Sequence, residues 1–323
     1  MRRRHFLVMA GSAAAWPAAA KAQARKKAVV GFISWWPPEM ASHLDALRGG
    51  MRDLGYVEGR DIEFDGHFTS GNRERTQELV QRLVGRNVDV LVVSTTPVAH
   101  IAKSATSRIP IVMAPVADPL ATGLVASISR PGGNVTGLTG FGPELGDKRL
   151  ELLREMKRGF RTLAFLGSSA DPNGPTFFRE LKSAAARQGL RLVAEFINGP
   201  AGIEARVFES FRQQGAEAVF IQPIFFGHHG TIVPLAVAAG LAVVGQYAQF
   251  AEAGGLLAFG FDDLALMRRA AYYVDAILKG ASPALLPVEQ PTKYMLVINA
   301  ATARRFGWSI PETLSIRADR IIE

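Results

Sequence analysis

The 323-residue sequence contains no cysteine. That absence excludes a disulfide framework, thiolate-held zinc or iron–sulfur centres, a cysteine nucleophile and a lipidated N-terminal cysteine. Long apolar runs are scarce as well. Past the N-terminus no stretch reaches the ~18 consecutive apolar residues of a membrane-spanning helix, so the processed chain is expected to be soluble. Histidine is sparse, and none of the six falls in a His-Glu-x-x-His pattern. His228 and His229 are adjacent, a spacing that need not converge on one ion, and they read as a surface loop. No Gly-x-Ser-x-Gly elbow and no phosphate-binding Gly-x-x-x-x-Gly-Lys-Ser/Thr loop is present. Gly137 to Gly142 is glycine-rich without the order of a dinucleotide loop, and reads instead as a crossing between lobes. Neither catalysis nor a cofactor is implied by these patterns.

Charge of one sign is not in large excess. Lys plus Arg is 37 against 29 Asp plus Glu, a formal +8. Four of the cations, Arg2, Arg3, Arg4 and Lys21, sit in the first 24 residues with no acid among them, so the remainder carries only +4. Such a balance gives little support to nucleic-acid binding. Apolar residues make up 48% of the chain, ample for packed cores and incompatible with disorder. At about 100–200 residues per domain, the length implies two domains.

The N-terminus reads as an address. Arg2 to Arg4 precede an alanine-rich apolar run from Phe6 to Ala20, too short to span a bilayer. Ala20-Lys21-Ala22 and Ala22-Gln23-Ala24 both fit a small-x-small cleavage site. Residues 1–24 are thus expected to be a removable export signal, and Arg3-Arg4-x-Phe6-Leu7 resembles the twin-arginine type, an ordinary secretory signal being the alternative.

Beyond it, strand and helix alternate. Apolar runs at 28–34, 61–68, 88–94, 109–116 and 134–139 read as strands, with helices at 43–54, 73–84 and 97–106 between them. The rhythm resumes with helices at 150–156, 176–188, 204–214 and 231–239 and strands at 163–167, 192–197, 218–224 and 241–247. Gly55, Gly189, Gly215 and Gly240 close helices as left-handed caps. Repeated helix–Gly–strand units with apolar strands predict parallel sheets covered on both faces. Two such series predict two α/β lobes: 28–140 plus 261–288, and 141–260 plus 289–323. A long helix at 263–278, a stiff crossing with Pro283, Pro287 and Pro291, a strand at 293–298 and a helix at 300–306 follow. A chain that crosses between lobes more than once makes a multi-segment hinge.

Several stretches resemble the ABC-transporter substrate-binding protein family that includes tryptophan and tyrosine importers. They are Leu54-Gly-Tyr-Val-Glu-Gly59, Val88-Asp-Val-Leu-Val92, Thr96-Pro97, Ala105-Thr-Ser-Arg-Ile-Pro-Ile111, Asp118-Pro119 and Arg130-Pro-Gly-Gly-Asn-Val-Thr-Gly137. Lys148 to Arg154, Glu252 to Leu256, Leu278-Lys-Gly280 and Leu286 to Asn299 continue the series over nearly the whole chain. The resemblance implies two Rossmann-like lobes of the type I periplasmic binding protein kind. It further implies closure on a small-molecule solute, no catalysis, no cofactor, and delivery to the membrane subunits of an ABC permease by a monomeric periplasmic protein.

In open parallel sheets a ligand lies beyond the carboxyl ends of the strands. Ser34, Trp35 and Trp36 follow the first strand, offering a hydroxyl and flat faces that either stack on a solute or pack in the lobe. Thr95 and Thr96 precede Pro97 at a helix start, where free N–H groups favour an anion such as a carboxylate or simply cap the helix. The family often has Gly where Thr95 stands. Asp118 either pairs with a ligand ammonium or caps a turn. In the second lobe Ser168 and Asn173 follow a strand, and Asp171-Pro172-Asn173 resembles the family's Asn-Pro-Asn turn. Phe225 and Phe226 match its paired aromatics, but the usual preceding acid is replaced by Pro223-Ile224, and Phe225 can equally be core. Gln246 and Tyr247 follow the next strand, and Asp262 sits at the crossing back to the first lobe. The expected function is capture of a solute, an amino acid or another aromatic or carboxylate-bearing compound. A ligand-sensing module, or less readily an enzyme on the same fold, is the alternative.

Overall fold

Residues 27–140 and 144–323 are described by a computed structural model; the expected export signal lies outside them. The apolar runs become strands as their composition requires. The first lobe contains β1 (Ala28–Ser34), α1 (Ser42–Asp53), β2 (Ile62–Phe68), α2 (Arg73–Gly85), β3 (Val90–Ser94), α3 (Thr96–Ala105), β4 (Ile111–Val116) and β5 (Val135–Thr139). They form an all-parallel sheet ordered β2-β1-β3-β4-β5. Every residue of β3 is buried, because helices cover both faces of the sheet. The edge strand β2 instead places Glu63, Asp65 and His67 on one side.

The second lobe contains α4 (Glu144–Met156), β6 (Thr162–Ser168), α5 (Gly174–Arg187), β7 (Arg191–Ile197), α6 (Ala205–Gln213), β8 (Ala218–Ile221), α7 (His229–Ala238), β9 (Ala242–Gly245), α8 (Ala248–Glu252) and β10 (Leu257–Gly260). Then α9 (Asp263–Leu278) returns to the first lobe. There its Met267, Ala271 and Val274 join Phe32 and Leu47 in one apolar cluster. The chain comes back through β11 (Met295–Asn299), α10 (Ala300–Phe306), α11 (Glu312–Arg317) and β12 (Arg320–Ile322).

The second sheet is ordered β12-β11-β10-β9-β8-β6-β7. It departs from the wholly parallel expectation, since β11 runs antiparallel to β10. The reason is connectivity: β11 re-enters from the first lobe rather than from a helix crossing its own sheet. Pro223 fixes φ where a strand was expected to run on to 224; β8 stops at Ile221 and residues 223–228 form a 3-10 turn. Each sheet separates two apolar clusters.

The lobes are joined at 140–144, 260–263 and 286–295. The last segment lies along β5. Thr139 N–H donates to Glu289 O at 2.9 Å, Glu289 N–H to Gly137 O at 3.0 Å, and the Thr136 hydroxyl to Leu286 O at 2.7 Å.

Candidate functional site

Both sheets point their carboxyl ends at the seam between the lobes. The loops after β1, β3 and β4 meet those after β6, β8, β9 and β10 around a narrow cavity of about 40 Å³. The wall from the first lobe is Trp36, Thr95, Thr96, Pro115, Val116 and Ala117. Facing it are Asp171, Phe177, Pro223, Ile224, Gln246 and Tyr247, with Gly140 and Phe261 from the crossings.

The seam is shut. Asn173 Nδ2 donates to Thr96 Oγ1 across it at 2.9 Å. Trp36 leaves its own lobe to pack edge-on against Phe226, ring centres 5.3 Å apart, within a cluster otherwise made almost wholly by the second lobe. His43 of α1 lies beneath, 4.6 Å from the Trp36 ring and 5.8 Å from Phe226. Its Nδ1 bonds Met40 O at 3.1 Å and its Nε2 bonds Asp263 Oδ2 at 2.6 Å, so the buried imidazole bridges α1 and the start of α9.

Thr95 sets the first-lobe wall. Its φ of 78° and ψ of 147° lie where a β-branched side chain is strained. The residue is 6% exposed and its hydroxyl has no hydrogen-bond partner. Trp36 Nε1 and Asn173 Oδ1 are likewise buried without partners among the described residues. Buried polar groups are rarely left so. Thr96, the first residue of α3, accepts at Oγ1 from Ala117 N–H at 3.2 Å and from Asn173. The open end of α3 therefore adds free N–H groups and the positive end of its dipole.

The second-lobe wall is wired instead. Gln222 spans Ser168 and Asp171. Ser168 N–H donates to its Oε1 at 2.7 Å, and its Nε2 donates to Asp171 Oδ2 at 2.6 Å. Asn173 N–H donates to Asp171 Oδ1 at 3.0 Å. Burial lifts the Asp171 carboxyl to about 6 against the two donated bonds that lower it. Arg149 lies buried behind Gln246. It donates from Nη2 to Gln246 Oε1 at 3.1 Å and from Nε to Phe259 O at 3.0 Å, with its guanidinium 4.8 Å over Phe220. Burial lowers it to about 9, which still leaves a cation at neutral pH. Burial also raises the Tyr247 hydroxyl well above the ordinary phenol value, with Asp263 adding to the effect.

Of the residues expected from sequence, Trp36, Thr95, Thr96 and Tyr247 line the cavity, and Asn173 reaches its rim through Thr96. The others fall elsewhere. Ser34 Oγ accepts from Trp36 N–H, closing its own turn. Trp35 turns into the first-lobe core, its Nε1 donating to Thr76 Oγ1 at 2.9 Å. Asp118 accepts from Leu120 and Ala121 N–H and Asp262 from Ala265 N–H; both carboxylates cap their own segments. Ser168 Oγ accepts from Ala170 N–H, and Phe225 is core at 2% exposure. Ser168, Trp35 and Phe225 share a second, separate groove with His228. Asp171, Gln222, Arg149 and the His43–Asp263 pair were not singled out. For Asp171 the signal was present, since it lies in the loop after β6, but Asn173 two residues on drew the reading. Among the described residues no cluster of three His, Asp or Glu is placed to hold a metal ion, and no helix is long and apolar enough to cross a membrane.

Known proteins share this architecture. A family model described as ABC transporter substrate binding protein matches residues 26–322. A tyrosine-binding protein of Clostridioides difficile (strain R20291) is 23% identical over 254 residues, 79% of this chain and 73% of that one. A conserved domain protein of Vibrio cholerae O1 biovar El Tor superposes with a TM-score of 0.86 at 29% identity, covering 92% of this chain and 100% of that one. An ABC domain from Streptococcus pneumoniae, in complex with L-Trp, superposes at 0.85 with 25% identity over the same shares. With two mostly parallel lobes, a cavity at their facing strand ends and a family match over nearly all of the described residues, this chain belongs to the ABC transporter substrate-binding protein family.

Proposed function

We propose that the chain captures a small solute in the inter-lobe cavity, in the periplasm, and presents the closed form to an ABC import permease. The observation that carries this reading is the set of unpartnered buried groups, Trp36 Nε1 and Thr95 Oγ1 on one lobe and Asn173 Oδ1 on the other. Two lobes contribute groups that only a third body can satisfy, so a bound solute favours closure through differential contacts. The free N–H groups of α3 with the Thr95 hydroxyl suit a carboxylate. Trp36, Phe177, Tyr247 and Phe261 suit an aromatic or bulky apolar body. No hydrolytic triad or redox group is assembled there, so turnover is no part of the reading. The residues proposed to touch solute are Trp36, Thr95, Thr96, Asn173 and Tyr247, joined by Asp171 and Gln246.

The test is a thermal-shift screen of the purified chain against amino acids, aromatic acids and amines, followed by calorimetry. A ligand at a hundred times its Kd stabilises by about 2.7 kcal/mol, and small-angle scattering then shows no larger radius than the closed form allows. Trp36→Phe, which keeps an aromatic ring but removes the N–H together with the five-membered half of the indole, is expected to weaken the best ligand about tenfold. Absence of any binder, or full affinity in that variant, contradicts the reading.

A further inference from the structure

The geometry points to Asp171 as the receptor for a cationic nitrogen on the solute, so that the cavity selects protonated amines over uncharged or purely anionic analogues of the same body. This inference rests on the solute-binding reading above and sharpens it.

The case begins with hydrogen-bond direction. Ser168 N–H can only donate, so it fixes Gln222 Oε1 toward itself and Gln222 Nε2 toward Asp171. Asn173 N–H, again only a donor, takes the other carboxyl oxygen. Both partners of Asp171 thus give protons, a setting built for the carboxylate. Each oxygen keeps a further lone pair free for a third partner.

Charge balance then fails within the protein. Asp171 is 4% exposed and lines the cavity. Among the described residues no Lys, Arg or His forms an ion pair with it, and burial alone accounts for the upward push on its carboxyl. Arg149, the other buried charge nearby, is committed to Gln246 and Phe259. A buried carboxylate without a counter-ion is costly, and such groups are ordinarily paired. The surroundings suit a cation. Trp36, Phe177, Tyr247 and Phe261 present aromatic rings to the same space, which attract ammonium groups through their faces. Pro223 and Ile224, the apolar residues that follow β8, leave the cavity wall there with no acid of its own. Asp171 is thereby the only carboxylate among the described lining residues, and the discrimination falls to it.

Calorimetry at pH 7.5 with matched triplets tests this: an amino acid, its deaminated acid and its decarboxylated amine, for aromatic (L-tryptophan, indole-3-propionate, tryptamine), aliphatic and polar side chains. The wild-type chain is expected to bind the best nitrogen-bearing member at least tenfold more tightly than the matching deaminated acid. Asp171→Asn is expected to remove that preference while keeping the affinity for the deaminated acid within about threefold. A deaminated acid that binds as well as its parent overturns the assignment and leaves the solute-binding reading standing. An unchanged preference in the variant does the same. Silence of every compound overturns the solute-binding reading and this assignment with it. Because the wild-type comparison uses no substitution, a poorly folding variant does not rescue the idea.

Discussion

The two walls of the cavity are built by opposite strategies. On the first lobe the polar groups wait: Trp36 Nε1 and Thr95 Oγ1 have no partner, and Thr95 holds a strained backbone. On the second lobe all but Asn173 Oδ1 are tied down, Asp171 to Gln222 to Ser168, and Gln246 to Arg149. The contrast teaches where preorganisation sits. A wired wall gives a solute fixed positions at no further ordering cost, whereas unsatisfied and strained groups store free energy that binding releases.

Breaking the wired wall should cost most. Gln222→Leu strips a donor from Asp171 and an acceptor from Ser168 N–H, both buried. With each orphaned group worth about 1–3 kcal/mol, a loss of about 4 kcal/mol in urea unfolding is expected. A loss under about 1 kcal/mol contradicts the contrast.

Acid sharpens the same wall. The Asp171 carboxyl has an ordinary value of 3.8 and stands at about 6 in the folded chain. Between those values the folded protein holds a proton that the unfolded chain has released. Its contribution to stability therefore falls as pH rises from about 4 to about 6, by about 3 kcal/mol in all, and is flat outside that window. Between about pH 4 and 6 the stability gap between wild type and Asp171→Asn in solute-free urea melts should change by that amount, and parallel curves would refute it.

Gly227 tests the meeting of the walls. A Cβ there would lie 2.2 Å from Pro37 Cδ of the opposite lobe, a rigid ring rather than a yielding chain end. Gly227→Ala should hold the lobes apart and weaken the best ligand tenfold or more, about 1.4 kcal/mol. Scattering with ligand present should report a larger radius, with circular dichroism unchanged.

The smallest effect belongs to the waiting wall. Thr95→Gly removes a strain of about 1–3 kcal/mol and adds up to about 1 kcal/mol of backbone entropy cost, for a net gain near 1 kcal/mol. Stability should rise while affinity falls. A variant that loses stability shows that the conformation is not strained.

The same contrast explains what was legible in the sequence. Strands and helices announced themselves through apolar runs and capping glycines, and the long α9 was placed within a residue. The short α8 and β10 were missed, because five and four residues between Gly245 and Gly260 carry too little periodicity. So was β12, whose arginine-led edge run does not read as a strand. Loop positions beyond strand ends were likewise readable, which is why Thr95, Thr96 and Tyr247 were found. Side-chain direction was not: Trp35 and Trp36 are neighbours, yet one enters its own core and the other crosses to Phe226. Asp118 and Asp262 could cap or bind, and local N–H groups, always within reach, took them. The networks of Asp171 and His43 join residues 51 and 220 positions apart, beyond any local pattern.

The order of strands carries one more consequence. The connection at 286–295 runs beside β5, whereas β2 and β7 are edge strands of their sheets. Ser70–Asn72 and Asn198–Ala201, which lie directly beyond β2 and β7, face each other across the outer groove. The rim of that groove is thus decided by which strands were left on the margin.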